Sequence, residues 1–364
     1  MGAIEAKDVV CVIPCAGKGT RMQPLTYTRP KPLLPVCNRP IIGHILEAVA
    51  ESGMTQACLI VSPAQSQLRA YLKRHTPKGL NVRYAVQRQQ KGLGHAVLCA
   101  RRCVGDSPFI VYLGDSLYGD QIQQFAKRFV SRWPKGLLRL QRVAEPQHYG
   151  VAVLSKAGRI TEVVEKPDTN VSDLAITGMY GFPASFFATL AETPPGKGGE
   201  IQITDAIQQF LGSGAGVWGE VYDGLWADCG RPSQFLAANA ALLRELGGGI
   251  DATAQVIGPP PGSNVRIGPG SLVQNTTLRG TVLIGRNCRL TNATISGPCA
   301  VNDDVVITNS VVHNAIIDER ARIEGFRGGV WDSIVGTDAK LKTDGENGSL
   351  SGVVVGDGAR TPCD

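Results

Sequence analysis

The sequence of 364 residues predicts two architectures in series: an α/β doubly wound, mostly parallel sheet, then a left-handed parallel β-helix. Two observations carry the first half. Unbroken apolar runs, Val9–Ile13, Ala57–Val61 and Phe109–Leu113, suit strands covered on both faces. Helical stretches alternate with them, the rhythm of a doubly wound sheet with ligands at the carboxyl ends of its strands. The second half rests on a change of texture. From Val256 onward aliphatic residues recur every six, separated by Gly, Asn, Thr and Pro. That period fits neither a helix nor an alternating strand and marks stacked hexapeptides. The expected domains are 1–246 and 256–364, joined by a linker at 247–255 where Gly247-Gly248-Gly249 breaks the chain.

Composition narrows the function classes. Hydrophobic residues make up 43% of the chain, enough for a sizeable core, and the formal net charge is +6 with its cations scattered. With no Lys/Arg run, nucleic-acid and membrane surfaces are not expected, and anionic small molecules are. Ten cysteines form no C-x-x-C, and five histidines form no paired ligand pattern, so reduced buried thiols are expected rather than a zinc site. The start, MGAIEAKDVVCVIPC, lacks a charged-then-apolar signal organisation, and cytoplasmic residence is the expectation.

Within the first half, Val9–Ile13 stops at Pro14 and opens into a loop holding Gly17 and Gly19, followed by Arg21 and Lys31 among Pro24, Pro30, Pro32 and Pro35. A strand feeding a glycine turn aims backbone N–H groups at one spot, which suits a phosphate. Two cations exceed one phosphate's charge, which suggests a triphosphate, and the prolines hold Lys31 in a stiff, extended setting. Taken alone, Gly17-Lys18-Gly19 equally fits a plain tight turn. Next, 40–53 reads as an amphipathic helix ending at Gly53, 64–75 as a second helix and Val82–Val86 as a strand. In the turn that follows, Gln87 offers a donor and an acceptor to a base edge, and Gly92 and Gly94 permit close backbone approach before a helix running to Cys103. Asp115 follows the Phe109–Leu113 strand, a good place for Mg²⁺, or else it caps the next helix. A second acid, Asp228, lies far downstream. Glu165 and Lys166 fall on opposite sides of a strand, since neighbours alternate faces, Thr204 is a candidate N-cap, and 232–246 forms a closing helix.

Read as one string, Ala16-Gly17-x-Gly19-Thr20-Arg21-Met22, followed ten residues after Arg21 by Lys31-Pro-Leu-Leu-Pro35, resembles the signature loop of sugar-1-phosphate nucleotidyltransferases. The resemblance spans nearly the whole chain. It implies transfer of a nucleoside monophosphate from dTTP to glucose 1-phosphate, with release of pyrophosphate. A UTP-dependent uridylyltransferase, or an inactive regulatory or scaffold member of the fold, is the alternative. In that family Ala16, Gly17, Gly19, Thr20 and Arg21 match the nucleotide loop, and Gln87 and Gly92 sit where uracil or thymine pairs. The segment Gln90–Arg101 resembles the uridylyltransferases, whereas the W-x-D-C-G-R-P closure at Trp226–Pro232 and the repeat tail resemble long-form thymidylyltransferases.

Asp115 and Asp228 match the family's Mg²⁺ ligands, and Tyr149, Gly150, Glu165, Lys166 and Ile176 match its sugar-phosphate pocket. Arg21, Lys31 and Lys166 are the implied catalytic cations. Where thymidylyltransferases often carry Arg-Gly-Glu, this chain reads Gly198-Gly199-Glu200, so that contact is missing or supplied by Lys197. In the tail, Leu272, Leu278, Ile284 and Leu290 form one hexapeptide row, resuming after a slip at Ile295, Val301 and Ile307, then Ile317 and Ile323. His313, the tail's one histidine, could be the base of an acyltransferase, but a packing or homo-oligomer role fits the tail better.

Overall fold

The computed structural model describes residues 4–119, 122–133, 135–344 and 348–361. The first apolar runs become β1 (Val10–Pro14), β2 (Gln56–Val61), β3 (Asn81–Val86) and β4 (Phe109–Tyr112), which pair in parallel in the order β4-β1-β2-β3. Helices α1 (Ile41–Glu51), α2 (Ser66–His75) and α3 (Gly92–Cys99) lie between them in sequence. On α1 the spacing of Ile41, Ile42, Ile45, Leu46 and Val49 gives one fully buried face. Gly53 follows in the left-handed conformation that commonly ends a helix.

The sheet then changes character. Strand β5 (Gly136–Arg142), β6 (Gly150–Leu154), β7 (Ile160–Glu165), β8 (Leu174–Phe182) and β9 (Val217–Val221) complete nine strands, with α4 (Ile203–Gly212) before the last. Strand β8 runs antiparallel to β4, β5 and β6, and is buried along its whole length. Among the described residues, no helix is long and apolar enough to cross a membrane. Among the described residues nine cysteines form no disulfide, seven of them buried, and burial pushes thiols such as Cys288 up to about 11.

Packing sorts the chain into two compact units, Met1–Gly17 with Ile42–Trp226, and Lys18–Ile41 with Ala227–Asp364. Secondary structure changes type near the glycine run, between α5 (Pro232–Leu243) and the first coil strand at Gly249, but packing divides earlier, after Trp226. The segment Lys18–Ile41 belongs to the second unit, with α5 and the β-helix.

The β-helix, left-handed, stacks strands of two or three residues in three parallel sheets. One coil takes 17 residues where Val273, Leu290 and Ile307 stack, one short of three hexapeptides. The missing residue is absorbed at a corner where Asn275, Asn292 and Asn309 each adopt a left-handed backbone, which Asn tolerates better than most residues. The expected row is therefore off by one at its start: Leu272 is only partly buried and Val273 fills the core. Leu278, Ile284, Leu290, Ile295, Val301, Ile307, Ile317 and Ile323 are core residues as the row expects.

Candidate active site

The loop after β1 is tied down by glutamines of its own unit. Cys15 O accepts from Gln65 Nε2 at 2.8 Å and Ala16 O from Gln90 Nε2 at 3.2 Å. A Cβ on Gly17 would meet nothing within 4 Å, so that backbone faces open space. In the second unit Gly19 has φ +64, and a Cβ there would lie 3.1 Å from Lys31 Cβ and 3.0 Å from Thr26 Cγ2. The glycine thus admits Lys31 against the turn that carries Thr20 and Arg21. Lys31 is buried and Arg21 exposed, and Thr26 Oγ1 donates to Gly19 O at 2.9 Å.

At the next turn Gln87 is buried. Its Nε2 donates to Gly92 O at 3.2 Å and lies 3.0 Å from His95 Nδ1. Burial, then the nearby Lys91 charge, lower the His95 pKa, so the neutral ring can accept from the amide nitrogen. The glycines here serve the protein itself. Cβ atoms on Gly92 and Gly94 would lie 2.6 and 2.8 Å from Ile201 O, the oxygen to which Gly94 N donates. The helix expected to reach Cys103 breaks at Ala100, with a short second helix over Arg101–Val104.

Asp115 follows β4 and precedes a strand at Ser116–Tyr118, so it caps no helix. Gly114 packs on β1: its N donates to Pro14 O at 3.2 Å, and a Cβ would meet Cys15 Sγ at 2.8 Å. Burial first, then the Asp115 charge, push the Cys15 thiol up and keep it a neutral S–H. In the second unit a Cβ on Gly230 would sit 3.0 and 3.2 Å from the Asp228 carboxylate oxygens and 3.1 Å from Gln234 Oε1. Gln234 Oε1 is buried without a hydrogen-bond partner among the described residues. Hard oxygens around a gap that only glycine leaves suit Mg²⁺ rather than a thiophilic metal. Among the described residues no three His, Cys, Asp or Glu side chains cluster as a metal site, so a cation here would need substrate oxygens to complete its shell.

The sugar-side residues converge in the first unit. Gly150 and Glu165 are paired between β6 and β7, and a Cβ on Gly150 would lie 2.7 Å from Thr204 Cγ2, 3.0 Å from Glu165 Oε2 and 3.8 Å from Ile176 Cδ1. Two expectations are corrected here. Lys166 is not on the opposite face from Glu165, because β7 ends at Glu165 and Lys166 turns left-handed at φ +43. Its Nζ lies 3.7 Å from Glu165 Oε1, and its N donates to Tyr149 O at 3.0 Å. Nor is Thr204 an N-cap: Gln202 holds that position and makes no side-chain cap bond. Thr204 Oγ1 instead donates to Glu165 Oε2 at 3.1 Å. The Tyr149 ring meets that of Trp226 edge-on at 5.3 Å.

Gly198 and Gly199 both have positive φ, a local reason for Gly-Gly where an arginine would be strained. The Lys197 side chain lies outside the described residues. His313 lines a cavity of about 1100 Å³ within the second unit, near Arg231 and Arg244, and its ring lies 5.2 Å from that of Trp331. Of the expected site residues only Arg21 reaches that cavity.

Sequence reasoning missed His95 and Thr204 as partners of the site. His95 carried a signal in its position within the glycine turn it steadies.

Known proteins resemble this chain along most of its length. Residues 10–245 match the Nucleotidyl transferase family. A glucose-1-phosphate thymidylyltransferase of Streptomyces griseus is 32% identical over 348 residues, covering 94% of this chain and 96% of its own. Among solved structures, a UDP-glucose pyrophosphorylase complexed with UDP-glucose gives a TM-score of 0.60 at 30% identity, over 65% of this chain and 99% of that one. A putative glucose-1-phosphate thymidylyltransferase from Bacillus anthracis gives 0.61 at 28% identity, over 66% and 97%.

Proposed function

The chain belongs to the Nucleotidyl transferase family, and on that premise we propose that it transfers a nucleoside monophosphate from dTTP to glucose 1-phosphate, releasing pyrophosphate. The observation that carries this reading is the approach of Lys31 to the Gly19 turn, which sets a buried cation against the turn that carries Arg21. Such a cradle suits a triphosphate and the pyrophosphate leaving from it. An oxygen of the sugar phosphate attacks the α-phosphorus in line. The new O–P bond forms as the bond to the β-phosphate oxygen breaks, so no covalent enzyme intermediate is needed.

Lys166 orients that nucleophile, while Glu165, steadied by Thr204, accepts from sugar hydroxyls. Gly150 and Ile176 shape the pocket beside them, with Tyr149 at its margin. Since both substrates are anions, Arg21, Lys31 and Lys166 also offset the repulsion that opposes their meeting. Asp115 and Asp228 are the proposed ligands of Mg²⁺, which when bound neutralises phosphate charge. Replacing Asp115 by Asn is expected to abolish turnover while circular dichroism and melting stay as in the parent. Near-normal activity contradicts its role.

At the base end the Gln87 amide nitrogen is engaged by Gly92 and His95, which turns the amide oxygen toward accepting the imide N–H of thymine or uracil. The choice of dTTP is supported by likeness to the Streptomyces griseus enzyme along 94% of the chain, β-helix included. UTP is the second reading, favoured by likeness to the UDP-glucose pyrophosphorylase over 65% of the chain. One methyl distinguishes the two bases, worth about 1–3 kcal/mol.

A further inference from the structure

The signature loop has little regular structure of its own. Between Lys18 and Ile41 it contains three 3₁₀ turns and a two-residue strand pair, yet it must hold Lys31 in place. Short turns do not fix a segment by themselves, so its geometry must come from what it packs on. Its packing partner is the β-helix, with which it forms one compact unit.

Two residues before Lys31, Arg29 is drawn out of solvent, with its side chain 17% exposed. Its Nη2 donates to Asp318 Oδ2 and, at 3.0 Å, to Asp357 Oδ1. Both acids project from one corner of the β-helix, just beyond the stack Val301, Ile317, Val335, Val355. That corner is built to receive a cation. Asp318 is only 3% exposed, and it accepts from Asn302 Nδ2 at 2.9 Å, Glu319 N at 2.8 Å and Thr337 Oγ1 at 2.9 Å. Asp357 accepts from Thr337 N at 3.0 Å and from Thr28 Oγ1 of the loop. Carboxylates already oriented by neighbouring coils lose little freedom when Arg29 docks, whereas without it the buried Asp318 and half-buried Asp357 would face each other uncompensated.

The far end of the loop is held the same way. Asn38 Nδ2 donates to Val301 O at 2.7 Å, and Cys37 N donates to Asn239 Oδ1 of α5 at 2.9 Å. Lys31 therefore lies between two anchor points on one scaffold.

We propose that the β-helix acts as a positioning clamp for the triphosphate-binding loop, with Arg29, Asp318 and Asp357 as positioning residues that hold Lys31. None of the three touches substrate. The inference rests on the role proposed above for Lys31, and a double-mutant cycle separates the two. Arg29→Met is expected to lower kcat by roughly 10- to 100-fold, the scale of a misplaced catalytic group. In a Lys31→Met background the same change adds less than about twofold, because the group it positions is already gone. Asp357→Asn, nearly isosteric and on the β-helix side, shows the same non-additivity and serves alone if Arg29→Met does not fold.

An equal loss in both backgrounds, or no loss in the Lys31 protein, overturns the clamp and leaves the proposed reaction standing. No loss from Lys31→Met itself overturns the reading of Lys31 and the clamp with it. Hydrogen exchange provides a test without substrate: amides of residues 20–34 exchange faster in the Arg29→Met protein, while those of the coils keep their protection. Unchanged loop exchange contradicts the clamp.

Discussion

Arg139 in the first unit and Arg29 in the second are both drawn out of water, and they are held in different ways. Arg139 lies on β5 inside the sheet unit, wholly buried. Its Nε donates to Glu220 Oε2 on β9 at 3.1 Å, and its guanidinium sits 4.5 Å from the Tyr222 ring centroid and within 5.4 Å of those of Tyr118 and Phe125. Glu220, Tyr222 and Phe125 are buried beside it, and Tyr118 partly so. Arg29 lies in a segment without regular structure and reaches acids 289 and 328 residues away. The first pair joins strands that β-sheet hydrogen bonds already join. The second joins parts of the chain that only packing brings together. A buried ion pair of the first kind bears on whether the unit folds, and one of the second kind on where a loop sits.

That contrast can be tested by removing one partner of each. Glu220→Ala removes the carboxylate that the wholly buried Arg139 meets, so unfolding free energy is expected to fall by about 3–5 kcal/mol, read from urea denaturation. Turnover per folded molecule stays within about twofold of the parent. Arg29→Met leaves Asp318 with its three other donors, and the expected loss of stability is smaller, about 1.5–3 kcal/mol, while kcat falls by the roughly 10- to 100-fold given above. If Glu220→Ala harms kcat and Arg29→Met spares it, the contrast is reversed and the assignment fails.

The smallest effect concerns pH. The His95 pKa is lowered, so the ring stays neutral at neutral pH and charges only below its ordinary value of about 6.5. The folded protein therefore binds fewer protons there than the unfolded chain, and the contribution of His95 to stability is present above that value and lost as pH falls. Charging turns Nδ1 from acceptor to donor and pushes the Gln87 amide nitrogen away. The KM for the nucleoside triphosphate is expected to rise on the acid side in the parent and to rise less in His95→Asn. Parallel pH profiles in the two proteins contradict that role for His95.

Much of the fold was legible because its signals are local. Unbroken apolar runs marked β1, β2 and β4, the helical spacing on α1 marked its buried face, and the six-residue period marked the coils. The misreadings share a cause. A one-residue corner moved the core from Leu272 to Val273, and a left-handed Lys166 ended a pleat that alternation assumes continues. Thr204 looked like a cap until its hydroxyl was seen to face Glu165 from another element. The partners of Arg29 lie so far along the chain that no local pattern announces them, and only the fold brings them together. Which side chains meet is a long-range property even where element type is a local one.

Pyrophosphate release reports on the proposed reaction itself. The protein is to be incubated with Mg²⁺, glucose 1-phosphate and, in turn, dTTP, UTP, ATP, CTP and GTP. Steady pyrophosphate release is expected with dTTP, a lower kcat/KM with UTP, and little with the others. Absence of release with all five, from folded protein and across other sugar 1-phosphates, contradicts it.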